Sequence, residues 1–105
     1  MRFVEAPIFT KRVIELLSDE DYSNLQIELL QRPEAGALIP GGGGLRKIGW
    51  RIGGKGKRGG VRIIYYWASS EDIIYMASIY RKSEQENLTH SQLRVLRSLI
   101  KEWSN

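Results

Sequence analysis

The stretch Leu45–Trp67, LRKIGWRIGGKGKRGGVRIIYYW, sets the reading of the whole chain. Two strand-like runs, Leu45–Ile52 and Val61–Ala68, enclose a connection made of glycines and bases. Within it lie Arg46, Lys47, Arg51, Lys55, Lys57, Arg58 and Arg62, which are seven of the sixteen Lys and Arg residues, and no acid lies between Glu34 and Glu71. The formal charge of +4 thus divides into +7 inside the stretch and −3 outside it. Clustered cations focus a field that a mixed surface would cancel, so the stretch is either a polyanion footprint or a solvated basic loop.

Downstream, Asp72–Tyr80 reads as a third strand, and Ser69-Ser70-Glu71 is a short polar turn that pairs it with Val61–Ala68 as an antiparallel hairpin. The near-continuous apolar character of VRIIYYWA and IIYMASIY predicts central strands covered on at least part of both faces. Upstream, RFVE is a short strand, and Pro7–Leu17 a helix whose apolar residues are Ile8, Phe9, Val13, Ile14, Leu16 and Leu17. Ser18 or Asp19 caps a second helix with carboxylates in its first turn; its stripe is Tyr22, Leu25, Ile27, Leu29 and Leu30, and it stops before Pro33. All eleven glycines lie between Gly36 and Gly60, and the run Gly41–Gly44 makes this middle region conformationally loose. Thr89 and Gln92 form a capping box for a last helix with Leu93, Leu96, Ile100 and Trp103 along one face. The expected fold class is α+β: a single domain over 1–105 with a small twisted, mainly antiparallel sheet, an N-terminal helical hairpin and a C-terminal helix. The hairpin is placed on one face of the sheet and a basic groove on the other.

Composition narrows the chemistry. No cysteine is present, so there is no disulfide, thiolate nucleophile or zinc-thiolate site. No apolar run has the length of a membrane span, and MRFVEAPIF lacks the apolar core of a secretory signal, so a cytoplasmic protein is expected. The carboxylates avoid the basic stretch and form no ligand cluster, so no metal site and no cofactor are expected.

Two glycine motifs are present and both fail. Gly54-Lys55-Gly56-Lys57-Arg58-Gly59 matches G-x-G-x-x-G, and Gly49 to Lys55 matches the first seven positions of a P-loop. Gly56 stands where the P-loop needs Ser or Thr, and a strand follows where both motifs need a helix N-terminus to hold phosphate. What survives is a basic loop meeting phosphate with side chains and backbone N–H groups. Metal-free RNA scission needs a base for the ribose 2′-hydroxyl, a cation for the phosphorane and an acid for the leaving 5′-oxygen. The single histidine, His90, sits at the start of the last helix and reads as a surface or capping residue, so no two-histidine mechanism is available. Crowded lysines, Lys55 and Lys57 beside Arg58 and Arg62, are candidates for proton transfer, because like charges favour the neutral amine. Arg62, always charged and fork-shaped, suits the phosphate itself. Trp50, Tyr66 and Tyr80 are candidates for base stacking, against the commoner fate of sheet packing.

The residues Leu45-Arg46-Lys47-Ile48-Gly49-Trp50, then GKGKRGG, then Val61-Arg62-Ile63-Ile64-Tyr65-Tyr66, together with IYRKSEQENLT before the last helix, resemble the HigB-type branch of the RelE/ParE toxin superfamily. The resemblance implies a RelE-like fold and the toxin of a type II toxin-antitoxin system. Its activity would be that of a ribosome-dependent mRNA endoribonuclease, an mRNA interferase that inhibits translation and is silenced by a cognate antitoxin. It implies that Arg62 contacts the scissile phosphate and that Lys47 and Lys82 occupy basic positions of the family. Lys55, Lys57 and Arg58 fall in its basic loop. Arg62, Lys55, Lys57 and Lys82 are thus the catalytic candidates, and Arg46, Lys47, Trp50, Arg51, Arg58 and Tyr66 the RNA-binding ones. Gly49 departs from a position that is often basic in relatives, where Arg51 has the parity to compensate, and Asn87-Leu88-Thr89-His90 lacks the tyrosine some relatives place there. Two alternatives stay open: a gyrase inhibitor of the ParE kind, and an RNA- or ribosome-binding protein without chemistry.

Overall fold

The computed structural model describes residues 1–52 and 59–104. Among them the order is β1 (Arg2–Glu5), α1 (Pro7–Leu16), α2 (Asp19–Gln31), β2 (Ala37–Leu38), β3 (Leu45–Arg51), β4 (Gly60–Ala68), β5 (Ile73–Arg81) and α3 (His90–Ser104). The strands form one sheet in the order β1-β5-β4-β3-β2, antiparallel throughout except for the parallel pair β1 and β5. This is the expected α+β architecture.

The β4–β5 hairpin is the centre of the molecule. On one face, Val61, Ile63, Tyr65, Ile74, Met76 and Ile79 pack against Phe9, Val13 and Leu16 of α1 and Leu25 and Leu29 of α2. On the other, Leu45, Ile64, Ala77 and Tyr80 pack against Leu96 and Ile100 of α3. Both faces are therefore covered, as the unbroken apolar runs require. A β-bulge makes the two coats fit one strand. Ile64 pairs with Ser78 but Tyr65 with Met76, so Ala77 is an extra residue on β5 and the side-chain alternation changes phase there.

Helix boundaries follow local chemistry. Pro7 opens α1, and the Ser18 hydroxyl accepts from the Asp21 N–H at 3.0 Å to cap α2. At α3 the capping box closes in both directions: the Gln92 N–H donates to the Thr89 hydroxyl at 3.1 Å, and the Thr89 N–H to the Gln92 side-chain oxygen at 3.0 Å. Four residues of the expected stripes do not face the core. Ile8 and Ile14 of α1 and Ile27 and Leu30 of α2 are exposed, Ile14 to 76%. Each helix presents only about two residues per turn to the sheet, which Phe9, Val13, Leu16, Leu25 and Leu29 already supply.

The glycine-rich segment before β3 is not loose. Gly41, Gly43 and Gly44 take φ of 70°, 67° and 106°, and the Gly42 N–H and Ile39 N–H donate to Ile39 O and Leu45 O at 2.8 and 2.9 Å. The run is an ordered turn that returns the chain from β2, a strand absent from the sequence reading, to β3. At Gly44 a Cβ would also meet the Tyr66 ring at 2.8 Å. Just upstream, the loop after α2 is tied to the core by the Tyr65 hydroxyl, which donates to Pro33 O at 2.7 Å and accepts from the Gly36 N–H at 2.8 Å. A Cβ at Gly36 would lie 2.8 Å from that phenol ring.

Among the described residues, no helix is long and apolar enough to cross a membrane. Burial pushes the Tyr65 phenol above its ordinary range, against the Gly36 N–H and the Arg46 charge, and burial with the hydrogen bond to Glu5 does the same to Tyr22. The folded state thus holds protons that an unfolded chain releases near the ordinary value of 10.0. The associated stability is full below that value and declines as pH rises above it, with an earlier loss in urea unfolding at about pH 11 than at neutral pH the expected result. Tyr65→Phe leaves the buried Gly36 N–H unsatisfied, and chemical denaturation should show a loss of about 1–3 kcal/mol.

Candidate functional site

The sheet face that carries α3 also carries the cations. On β3 and β4, Lys47 pairs with Ile64, Gly49 with Arg62 and Arg51 with Gly60, while Arg62 and Ile64 continue to Tyr80 and Ser78 on β5. Cross-strand partners share a face, so Lys47 and Arg62 stand on the α3 side, as Ile64 and Tyr80 do. The helix begins at His90 and runs back over Leu45 and Ala77 toward Tyr75, where Trp103 stacks at 4.5 Å and 15°. α3 covers Ile64 and Tyr80, the cross-strand partners of Lys47 and Arg62, so the cations stand at the margin of its cover. The basic surface is thus the portion that the helix leaves open, rather than a whole face.

Lys82 completes it. Its N–H donates to Gly60 O at 3.1 Å, extending the ladder one residue past β5. Its side chain lies flat across the neighbouring strands: a Cβ on Gly60 would touch Lys82 Cδ at 3.2 Å, and one on Gly49 would meet Nζ at 2.8 Å. Two glycines on adjacent strands leave the corridor in which this chain lies. The Lys82 amine thus lies over Gly49, beside its cross-strand partner Arg62. Arg51 is exposed at the end of β3.

No carboxylate neutralises this group. Among the described residues the side chains of Arg62 and Lys82 make neither an ion pair nor a hydrogen bond, and the half-buried Arg62 has its Nε enclosed without a partner. Lys47 Nζ donates to the Asn87 side-chain oxygen at 3.1 Å. Asn87 lies in the loop before α3, which Glu84 anchors through Arg81 at 3.0 Å and Arg12 of α1 at 3.3 Å; these guanidinium groups, Arg81 first, hold the Glu84 carboxyl below its ordinary range. Beside Lys47 a cleft of about 230 Å³ is lined by Ile39, Asn87, Thr89, His90 and Leu93. His90, the first residue of α3, is exposed there, in the place of a surface residue but beside a cation of the site.

Not every candidate joins this surface. Arg46 points its guanidinium into the loop after α2, donating to Glu34 O at 3.2 Å and Gly36 O at 2.8 Å, so it braces the fold. Trp50 packs against the core on the α1/α2 side, the face opposite Arg62. Tyr66 is on the α3 side but stacks on Tyr75 at 6.3 Å, with Gly44 against its ring. Tyr80 is 3% exposed and offers no face for stacking. Lys55, Lys57 and Arg58 lie outside the described residues. Asn87 and the Gly49–Gly60 corridor were not legible in the sequence, since both depend on side chains converging from different strands. Tyr80 carries the site's other anomaly: its buried hydroxyl has no partner, and burial raises its pKa while the charge of Arg62 opposes the shift.

No group of three or more His, Asp or Glu residues comes together among the described residues. The assembled chemistry is instead cationic and hydrogen-bond donating: a half-buried guanidinium, an exposed amine over bare backbone and a second lysine one row along. This matches an anion with several oxygens, such as a phosphodiester. No model of a known protein family matches the chain.

The separation of roles is measurable with a single-stranded polyanion such as poly(A). Neutralising Lys47, Arg62 or Lys82 to Gln should each reduce the slope of log affinity against log salt by roughly 0.7. Arg46→Gln should leave that slope unchanged and lower the unfolding midpoint.

Proposed function

We propose that the chain is the toxin of a toxin-antitoxin pair, an endoribonuclease that cuts messenger RNA on the ribosome without a metal ion. The observation that carries this reading is the convergence of Lys47, Arg62 and Lys82 on one acid-free patch of the sheet. The family resemblance of the sequence supports it independently.

In this reaction the ribose 2′-oxygen loses its proton to a base and bonds to the adjacent phosphorus. The resulting phosphorane carries extra charge on its equatorial oxygens, and the 5′-oxygen leaves with a proton from an acid. Arg62 grips the scissile phosphate, its backbone fixed between two other strands so that little reorganisation accompanies the charge build-up. Lys82 reaches the same phosphate from its glycine corridor and follows the charge as it develops. Lys47, held by Asn87, meets the neighbouring backbone phosphate. Lys55, Lys57 and Arg58 carry the contacts to the ribosome or to flanking RNA, and either lysine is a candidate for proton transfer. The antitoxin supplies an acidic, apolar segment that covers the basic patch or displaces α3.

The test is to incubate the protein with programmed ribosomes and map the 5′ ends of the mRNA. Codon-phased cuts are the expected result, and Arg62→Ala should lower the cutting rate by about 10²- to 10³-fold while keeping most of the ribosome affinity. Intact mRNA together with blocked DNA supercoiling would assign the protein to the gyrase-inhibitor class instead. Intact mRNA with tight ribosome binding would make it a binding protein without chemistry.

A further inference from the structure

Within the cationic patch, two polar atoms are enclosed and unpartnered: Nε of Arg62 and the hydroxyl oxygen of Tyr80. Their residues are direct cross-strand partners on β4 and β5, so the two side chains rise side by side from the same face. The Tyr80 ring is buried with Leu45, Ile64, Ala77, Leu96 and Ile100. A phenylalanine would fill that space equally well and leave no orphaned hydroxyl, so the oxygen contributes nothing to the folding of the free protein. Both orphans can donate. The Nε–H has no other capacity, and burial holds the phenol in its neutral, proton-bearing form. Neither proton finds an acceptor among the described residues, and the neighbouring Lys82 amine and the Arg62 charge favour one that is negative.

We propose that Tyr80 is a phosphate-contacting residue: its hydroxyl and the Arg62 Nε–H donate together to one non-bridging oxygen of an RNA phosphodiester, while Lys82 neutralises the other. This rests on the placement of substrate phosphate at Arg62 in the function proposed above. The Lys82 side chain is exposed and makes no hydrogen bond or ion pair among the described residues, and its amine lies over Gly49, the cross-strand partner of Arg62, at the side from which an anion would approach. The pair is thus a two-donor receptor with a cation beside it.

The arrangement gives Tyr80→Phe an unusual signature, because stability and binding should move in opposite directions. The probe is adenosine 3′-monophosphate, with inorganic phosphate alongside, followed through the ¹⁵N-coupled Nε–H resonance of Arg62 and assigned with Arg62→Lys. In the wild-type protein that resonance should shift downfield on titration. In Tyr80→Phe the affinity should fall about five- to tenfold, with a thermal midpoint equal to or above that of the wild type. Unchanged affinity in Tyr80→Phe, an Nε–H resonance that stays in place at saturating phosphate, or a lowered thermal midpoint would each overturn the proposal. The ribosome assay separates this outcome from that of the nuclease reading. Weakened phosphate binding in Tyr80→Phe with mRNA left intact by the wild type keeps the receptor and removes the nuclease; mRNA cut equally by both proteins removes the receptor and keeps the nuclease.

Discussion

The structure depends on the two-sided burial of the β4–β5 hairpin. A pair of nine-residue strands apolar on both faces cannot stand alone in water, so each face needs a coat. The α1/α2 hairpin supplies one and α3 the other, and every other strand is an addition to the edges of this pair. The coats are unequal in reach. At the margin of α3's cover, β3, β4 and the end of β5 carry Lys47, Arg62 and Lys82 instead of apolar side chains. Site and core are thus two ends of one surface, and the strands that hold the arginine rigid are also those that the core makes hardest to deform.

Much of this was written locally in the chain. Pro7, Ser18, the Thr89–Gln92 box and the apolar runs fix elements through contacts a few residues apart, and these appear where the sequence places them. Arg62 and Lys47 were likewise legible, because strand parity alone sets the face they occupy. The misreadings concern relations between distant segments. Gly41–Gly44 looked like slack, yet positive φ at three of its glycines makes a fixed turn once Ala37–Leu38 finds β3 as a partner. Arg46 and Trp50 share the basic stretch with Lys47 but stand on the opposite parity, and a charge count has no access to faces. Ile14 and Ile27 fit helical spacing as well as Val13 and Leu25 do, and only the position of the sheet separates the two sets.

The cationic patch also shows how a small sheet concentrates charge without losing its strands. Like charges directly opposite one another would repel. Here the backbone pairing sets each cation against a neutral or glycine partner, Lys47 against Ile64 and Arg62 between Gly49 and Tyr80, and the Lys82 amine reaches over Gly49 from the end of β5. The glycines serve both ends at once, removing a competing side chain and giving Lys82 a bed of backbone to lie on. Among the described residues no counter-ion pairs with these cations, so the field remains available to an external anion.

The bulge at Ala77 has a consequence for evolution by insertion and deletion. A strand with two coats carries two interleaved messages, one for each face, and Ala77 is the frame-shift that lets the second half of β5 be read in the opposite phase from the first. Adding one residue there, with the bulge still a single residue, would leave composition, charge and strand length almost untouched. It would also exchange the addresses of Ile79 and Tyr80, delivering a hydrocarbon to the anion site and a phenol to the helical hairpin. Within this sheet, chemistry is therefore guarded less by the identity of its charged residues than by the count of residues between them.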